Sequence, residues 1–171
     1  MSVLPVLKYP HPLLRQKAKQ VRRFDAELAK LAEAMLATMY AEGGIGLAAP
    51  QVGQSRRLVV VDLTAGEEQD VPREPRVYVN PEIIEREGET VSEEGCLSVP
   101  EFTAEVTRAE RIRLRYQTLA GETREERLEE IAAICLQHEV DHLLGKLFVD
   151  YLPPVKRQLV KKRLAKLAET G

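Results

Sequence analysis

Two histidines and a glutamate on the apolar face of one helical stretch constrain this chain more than any other feature. Gln137-His138-Glu139-Val140-Asp141-His142 reads H-E-x-x-H, with Ile131-Ala132-Ala133-Ile134-Cys135-Leu136 before it and Leu143-Leu144-Gly145 after it. Residues 131, 134, 135, 138 and 142 recur at the spacing of one helical face, and Gly145 stands where a left-handed residue would close the helix. Both imidazoles therefore point inward, and the rest of the chain has to be built around this helix. Side chains four residues apart lie one turn above each other, about 6 Å along the axis. Both rings can then reach one ion at roughly 2.0–2.1 Å. Glu139 follows the first ligand directly and can meet a water on that ion, which is the hydrolytic arrangement of this motif. A lone inward histidine is ordinarily a hydrogen-bonded core residue. Here two of only three histidines sit around a carboxylate that a plain core would reject.

A catalytic metal takes three protein ligands and keeps a position for water. The downstream histidine or glutamate that completes H-E-x-x-H in peptidases is missing, since no histidine follows His142 and the only later glutamate is Glu169. Cys135 shares the helix face, but the midpoint of 138 and 142 lies roughly 7–8 Å further along the axis. A cysteine side chain cannot span that, so Cys135 reads as a small buried apolar residue. Cys96, in the Gly/Pro-bounded stretch Glu93-Glu94-Gly95-Cys96-Leu97-Ser98-Val99-Pro100, is the better third ligand.

The remainder reads as one soluble α+β domain over 1–171, with 44% hydrophobic and 30% charged residues and a net charge of −2. Neither a membrane span nor a signal peptide is expected, and two cysteines make no disulfide framework, so the expected location is the cytoplasm. Met1–Val21 reads as an ordered arm, with Tyr9-Pro10-His11-Pro12 as its turn; His11 is a turn residue rather than a fourth ligand. Asp25 caps an amphipathic helix running to about Tyr40. Strands with one wet face are expected at Arg57–Leu63, Arg76–Asn80, Ile83–Glu87 and Arg111–Thr118, with Thr123–Leu128 pairing back and a charged loop over Thr64–Pro75. After Pro153-Pro154, apolar Leu159, Val160, Leu164 and Leu167 alternate with lysines and arginines in an appended basic helix. Gly44-Ile45-Gly46-Leu47-Ala48-Ala49 matches a dinucleotide fingerprint in letters only, since it follows a helix and runs into Pro50.

Taken together and in order, Gly44-Ile45-Gly46-Leu47-Ala48-Ala49-Pro50-Gln51, Glu94-Gly95-Cys96-Leu97-Ser98 and Gln137–His142 resemble the three motifs of peptide deformylase. The resemblance extends from Tyr9-Pro10 to Gly145-Lys146-Leu147-Phe148, and the C-terminal helix is similar to that of the bacterial type. It implies small mixed or antiparallel sheets packed around a central metal-binding helix. It implies one divalent metal on Cys96, His138 and His142, Fe(II) first, with Zn(II), Ni(II) or Co(II) also suited to the donors. It implies hydrolytic removal of formyl from the N-terminal methionine of newly made polypeptides, by a metal-bound water whose proton passes to Glu139. By the same resemblance Gln51 and the Leu97 N–H stabilise the oxyanion, Ile45 and Gly46 bind the peptide backbone, and Ile131, Ile134 and Cys135 line the methionine pocket. A ribosome contact through the basic helix and a monomeric state are further expectations. One departure is Phe102-Thr103, where many members carry an arginine near the peptide's path. One rival is another metallohydrolase such as a small peptidase; a rival from another class is a binding protein with a structural metal, which would need a fourth ligand, and a non-haem iron oxygenase would want a carboxylate as the third ligand.

Overall fold

The computed structural model describes residues 3–66 and 71–170. Its strands are β1 (Gly46–Ala48), β2 (Leu58–Val61), β3 (Arg76–Glu87), β4 (Thr90–Cys96), β5 (Val99–Arg108), β6 (Arg111–Gln117) and β7 (Thr123–Glu129). The helices are α1 (Ala26–Ala41), α2 (Glu130–Leu143) and α3 (Pro154–Thr170), joined in places by short 3-10 turns.

All named strand pairs are antiparallel: a five-stranded sheet in the order β1-β2-β3-β6-β7 and a separate β4-β5 hairpin. β2 explains the layering. Its four residues are all buried, and because side chains alternate across a strand, Val59 and Val61 enter the core shared with α2 while Leu58 and Val60 enter the core shared with α1. The expectation of one wet face is therefore wrong for β2. An unbroken β-branched run, without polar alternation, is the mark of a strand covered on both sides. β6 keeps the expected alternation, with Ile112, Leu114 and Tyr116 inward and arginines outward beside Glu85, Glu87 and Glu125.

Two further expectations change. Arg76–Asn80 and Ile83–Glu87, two runs joined at Pro81, are one strand, β3, whose register against β6 shifts between Val79 and Glu82 and again between Ile83 and Glu85. Asn80 sits at φ 50°, and its side chain holds both the N–H and the C=O of Val21, tying the N-terminal segment to the bulge. The second difference is the hairpin of β4 and β5, a segment for which no strand is expected from the sequence. Ala104, Val106 and Arg108 are buried and alternate with exposed Thr103, Glu105 and Thr107, a period of two that marks the strand.

Local signals place α1 and α2. The Asp25 side chain accepts from the Leu28 N–H at 3.0 Å, and Met35 and Met39 fill the core. At the end of α2, Gly145 adopts φ 77°, and a Cβ there would lie 2.3 Å from the Arg15 carbonyl oxygen, so glycine is required twice over. Gln137 staples α2 to the β5–β6 turn, accepting from the Ala109 N–H and donating to the Ala109 and Ala133 carbonyls. In α3, Val160 and Leu164 are buried against the hairpin and the N-terminal arm, whereas Leu159 is 61% exposed and lies off the packed face. Among the described residues no helix is long and apolar enough to cross a membrane.

Candidate active site

α2 carries His138, Glu139 and His142 on the side that faces the hairpin, and the β4–β5 turn brings Cys96 against them. Cys96 Sγ lies 3.3 Å from His142 Nε2, and the two Nε2 atoms are 3.2 Å apart. One donor atom from each of Cys96, His138 and His142 falls within 4.8 Å of the others. Cys135 and His11 are not in this group; His11 instead accepts from the Leu13 N–H in its exposed turn. A soft thiolate beside two imidazoles suits Fe(II), Zn(II), Co(II) or Ni(II) rather than magnesium or calcium.

The ring orientation has a cause. His138 Nδ1 is 3.0 Å from Glu94 Oε1, which leaves Nε2 for the ion. Glu94 is gripped by Arg108 through two contacts of 2.8 and 2.7 Å, and Arg108 also reaches Asp141 at 2.7 Å. Burial opposes the charge on Glu94, yet the Arg108 guanidinium and His138 hold its carboxyl at about 2. Burial also lowers His138, but the Cys96 and Glu94 contacts outweigh it and raise its proton affinity. Burial, with the charge of His138, pushes His142 well below the ordinary imidazole range.

Glu139 is buried, and its Oε1 has no protein hydrogen-bond partner. Burial lifts its carboxyl to about 7, the range in which a group can both take and return a proton near neutrality. Gly46 faces it so closely that a Cβ there would lie 2.6 Å from Glu139 Oε2 and 3.0 Å from Cys135 Sγ. The Gln51 side chain is buried on a 3-10 turn (Ala49–Val52); its Oε1 accepts from the Ala48 N–H, which aims Nε2 at Ser98 Oγ (3.1 Å) and Cys96 Sγ (3.6 Å).

These groups border a cleft of about 700 Å³. It brings together Gly44, Ile45, Gly46 and Gln51 from the glycine segment, Cys96 and Leu97 from the hairpin, and Ile131, Ile134, Cys135, His138 and Glu139 from α2. Every site residue read from the sequence except His142, which lies beneath the others and is 1% exposed, lines this space. The inward histidine face is correct, but at its start Ile131 is 57% exposed and edges the cleft rather than the core.

The family model for polypeptide deformylase matches residues 3–158. The chain belongs to that family. A peptide deformylase of Tolumonas auensis is 51% identical over 168 residues, covering 98% of both chains. That of Alkalilimnicola ehrlichii is 48% identical over 171 residues, covering all of this chain and 94% of its own. The crystal structure of a peptide deformylase from Legionella pneumophila superposes with a TM-score of 0.89 at 43% identity, covering 99% of this chain and 97% of that one. The activity of the polypeptide deformylase family is hydrolytic removal of formyl groups, and this chain is an enzyme of that kind.

Around this deformylase centre, sequence reasoning missed Ser98, Arg108, Asp141 and Tyr151, and quoted Glu94 without a role. One signal was present. Arg108 falls on the inward register of β5, and a charge on a buried register has to be paired.

Proposed function

We propose that the cleft removes formyl from the N-terminal methionine of newly made polypeptides, with Cys96, His138 and His142 holding one divalent ion, Fe(II) by preference. The observation that carries this reading is the convergence of those three donors beside an unpartnered, buried Glu139. When bound, such an ion supplies Lewis acidity and makes water more acidic than in bulk. Glu139 takes the proton of the attacking water and delivers it to the departing amine nitrogen, a cycle for which a carboxyl near 7 is suited. Gln51 Nε2 and the Leu97 N–H face the carbonyl oxygen as negative charge builds on it. The backbone at Ile45 and Gly46 pairs with the peptide as a neighbouring strand would. Ile131, Ile134 and Cys135 supply the apolar wall for methionine. Phe102-Thr103 at the cleft edge offers the residues after methionine an apolar ring and a hydroxyl rather than a cation.

The test is formate release from formyl-Met-Ala-Ser by anaerobically purified protein, beside Glu139→Gln and Cys96→Ala with metal content measured for each. The parent is expected to release formate, Glu139→Gln to lose activity of the order of 10²–10⁴-fold with metal retained, and Cys96→Ala to lose the metal. A parent that binds metal yet releases no formate under any loading overturns the reading in favour of a closed-site binding protein.

A further inference from the structure

From Glu94 and His138 at the cleft a chain of contacts runs outward through Arg108 and Asp141 to Tyr151, three residues that the proposed chemistry does not use. Tyr151 donates through its hydroxyl to Asp141 Oδ2 at 2.9 Å, and the same carboxylate oxygen takes Arg108 Nη1 at 2.7 Å. Arg108 then holds Glu94 with its remaining fork, and Glu94 meets His138 Nδ1. The guanidinium lies 5.2 Å over the Tyr151 ring, so that ring covers the cation while its hydroxyl anchors the acid. The Arg108 and Glu94 side chains are 4% and 5% exposed and that of Asp141 14%.

A buried triad of this kind adds little stability over apolar packing of the same shape, because desolvation of the three charges offsets their attraction. Its effect lies where its charges point. With one Glu94 oxygen shared between Arg108 Nη2 and His138 Nδ1, the position of the guanidinium sets the position of the acceptor that orients the ring. Glu94 alone could turn about its side-chain torsions; clamped at both oxygens, it cannot. Asp141 and Tyr151 in turn fix the far side of the guanidinium. Asp141 is also on α2, three residues after His138, so the chain closes into a ring that starts and ends on the ligand helix.

We propose that Asp141 and Tyr151 are positioning residues for the metal ligand His138, acting through Arg108 and Glu94. Tyr151 lies in the 3-10 turn (Phe148–Tyr151) that leads into α3, so the geometry of His138 is tied to the path of the chain beyond the helix. This inference rests on the metal reading above.

The experiment uses Co(II) alone as the probe, bound anaerobically to the full chain. The variants are Tyr151→Phe, which keeps the ring and removes the hydroxyl, Asp141→Asn, and Glu94→Gln as the reference for direct contact with the ligand. Release of Co(II) to a chelator and the visible spectrum of the bound ion are read alongside thermal unfolding of the metal-free proteins. Expected is faster release by about tenfold or more for Glu94→Gln, severalfold for Asp141→Asn and about twofold for Tyr151→Phe, each with a displaced spectrum. A loss of thermal stability alone, with release and spectrum at the parent's values in both outer variants, overturns the proposal. A parent that takes up no Co(II) overturns the metal reading and this inference together.

Discussion

Gly46 shows how much one missing side chain does for the site. Its absent Cβ leaves the space that Glu139 Oε2 and Cys135 Sγ occupy, at 2.6 and 3.0 Å from where that carbon would be. Both neighbours are buried side chains of α2 that border the cleft, so the clash is relieved by turning the end of the Glu139 side chain away from its present position. Gly46→Ala is expected to push the Glu139 carboxylate off its line and to lower kcat by roughly 10²-fold, the cost of an error of about 1 Å in a catalytic group. Metal content should not change, because the ligands lie on other contacts. Steady-state formate release together with metal analysis checks this, and an unchanged kcat would show that Gly46 does not set the position of the Glu139 carboxylate.

At the scale of elements, the unexpected contributor is the N-terminal arm. It crosses the two segments that carry the proposed oxyanion donors: the Leu7 N–H donates to the Gln51 carbonyl at 2.7 Å, the Tyr9 N–H to the Ser98 carbonyl at 2.7 Å, and Lys8 Nζ to the Leu97 carbonyl at 3.0 Å. Further out, the Leu4 N–H donates to Thr38 Oγ1 on α1. The arm is thus a clasp across the glycine segment and the hairpin turn, which belong to different sheets. Removal of residues 1–8 is expected to lower stability by roughly 2 kcal/mol through lost hydrogen bonds. It should also reduce kcat by on the order of tenfold, since Gln51 and Leu97 lose their mutual register. Urea unfolding and kcat measured at full metal loading separate the two effects. The appended helix α3 closes the other side of the hairpin, with Val160 and Leu164 buried and most of its lysines and arginines exposed.

For the whole molecule, pH stability depends on groups outside the cleft as well as on Glu94 and Glu139 within it. Asp62 is fully buried at the end of β2, where it accepts from Thr64 Oγ1, the N–H groups of Thr64 and Glu74, and the Tyr40 hydroxyl. Burial opposes its charge, but these donors outweigh it and hold the carboxyl below the usual range, while burial and Asp62 together push Tyr40 up to about 12. A depressed carboxyl stabilises the fold above its unfolded value of about 4, and that contribution is lost as pH falls through the folded value. A raised phenol stabilises below about 10, and its contribution is lost as pH rises through about 12. The metal-free protein is therefore expected to lose stability on both flanks, below about pH 4 and above about pH 10, and Asp62→Asn to flatten the acid flank and to reduce the alkaline one, which Tyr78 and Tyr116, also pushed up to about 12, share. Urea midpoints across the pH range test it; equal slopes in parent and variant would contradict the assignment.

What the sequence by itself determined is what repeats or stands at fixed spacing along one element. The period of 3.6 put His138 and His142 on one face, the reach of a cysteine side chain set aside Cys135, and Asp25 and Gly145 marked helix ends; each depends on neighbours within a turn or two. Resemblance then linked three stretches that no local rule connects. Only the tertiary structure decided which residues meet across the chain: that Cys96 arrives on a hairpin turn, that Arg108 on β5 reaches Glu94 and Asp141, that β2 is covered on both faces, and that the arm clasps Gln51. Such contacts join residues well separated in the chain, Arg108 and Glu94 by 14 positions and Cys96 and His142 by 46, and the packing of layers, not the periodicity of any one segment, selects them.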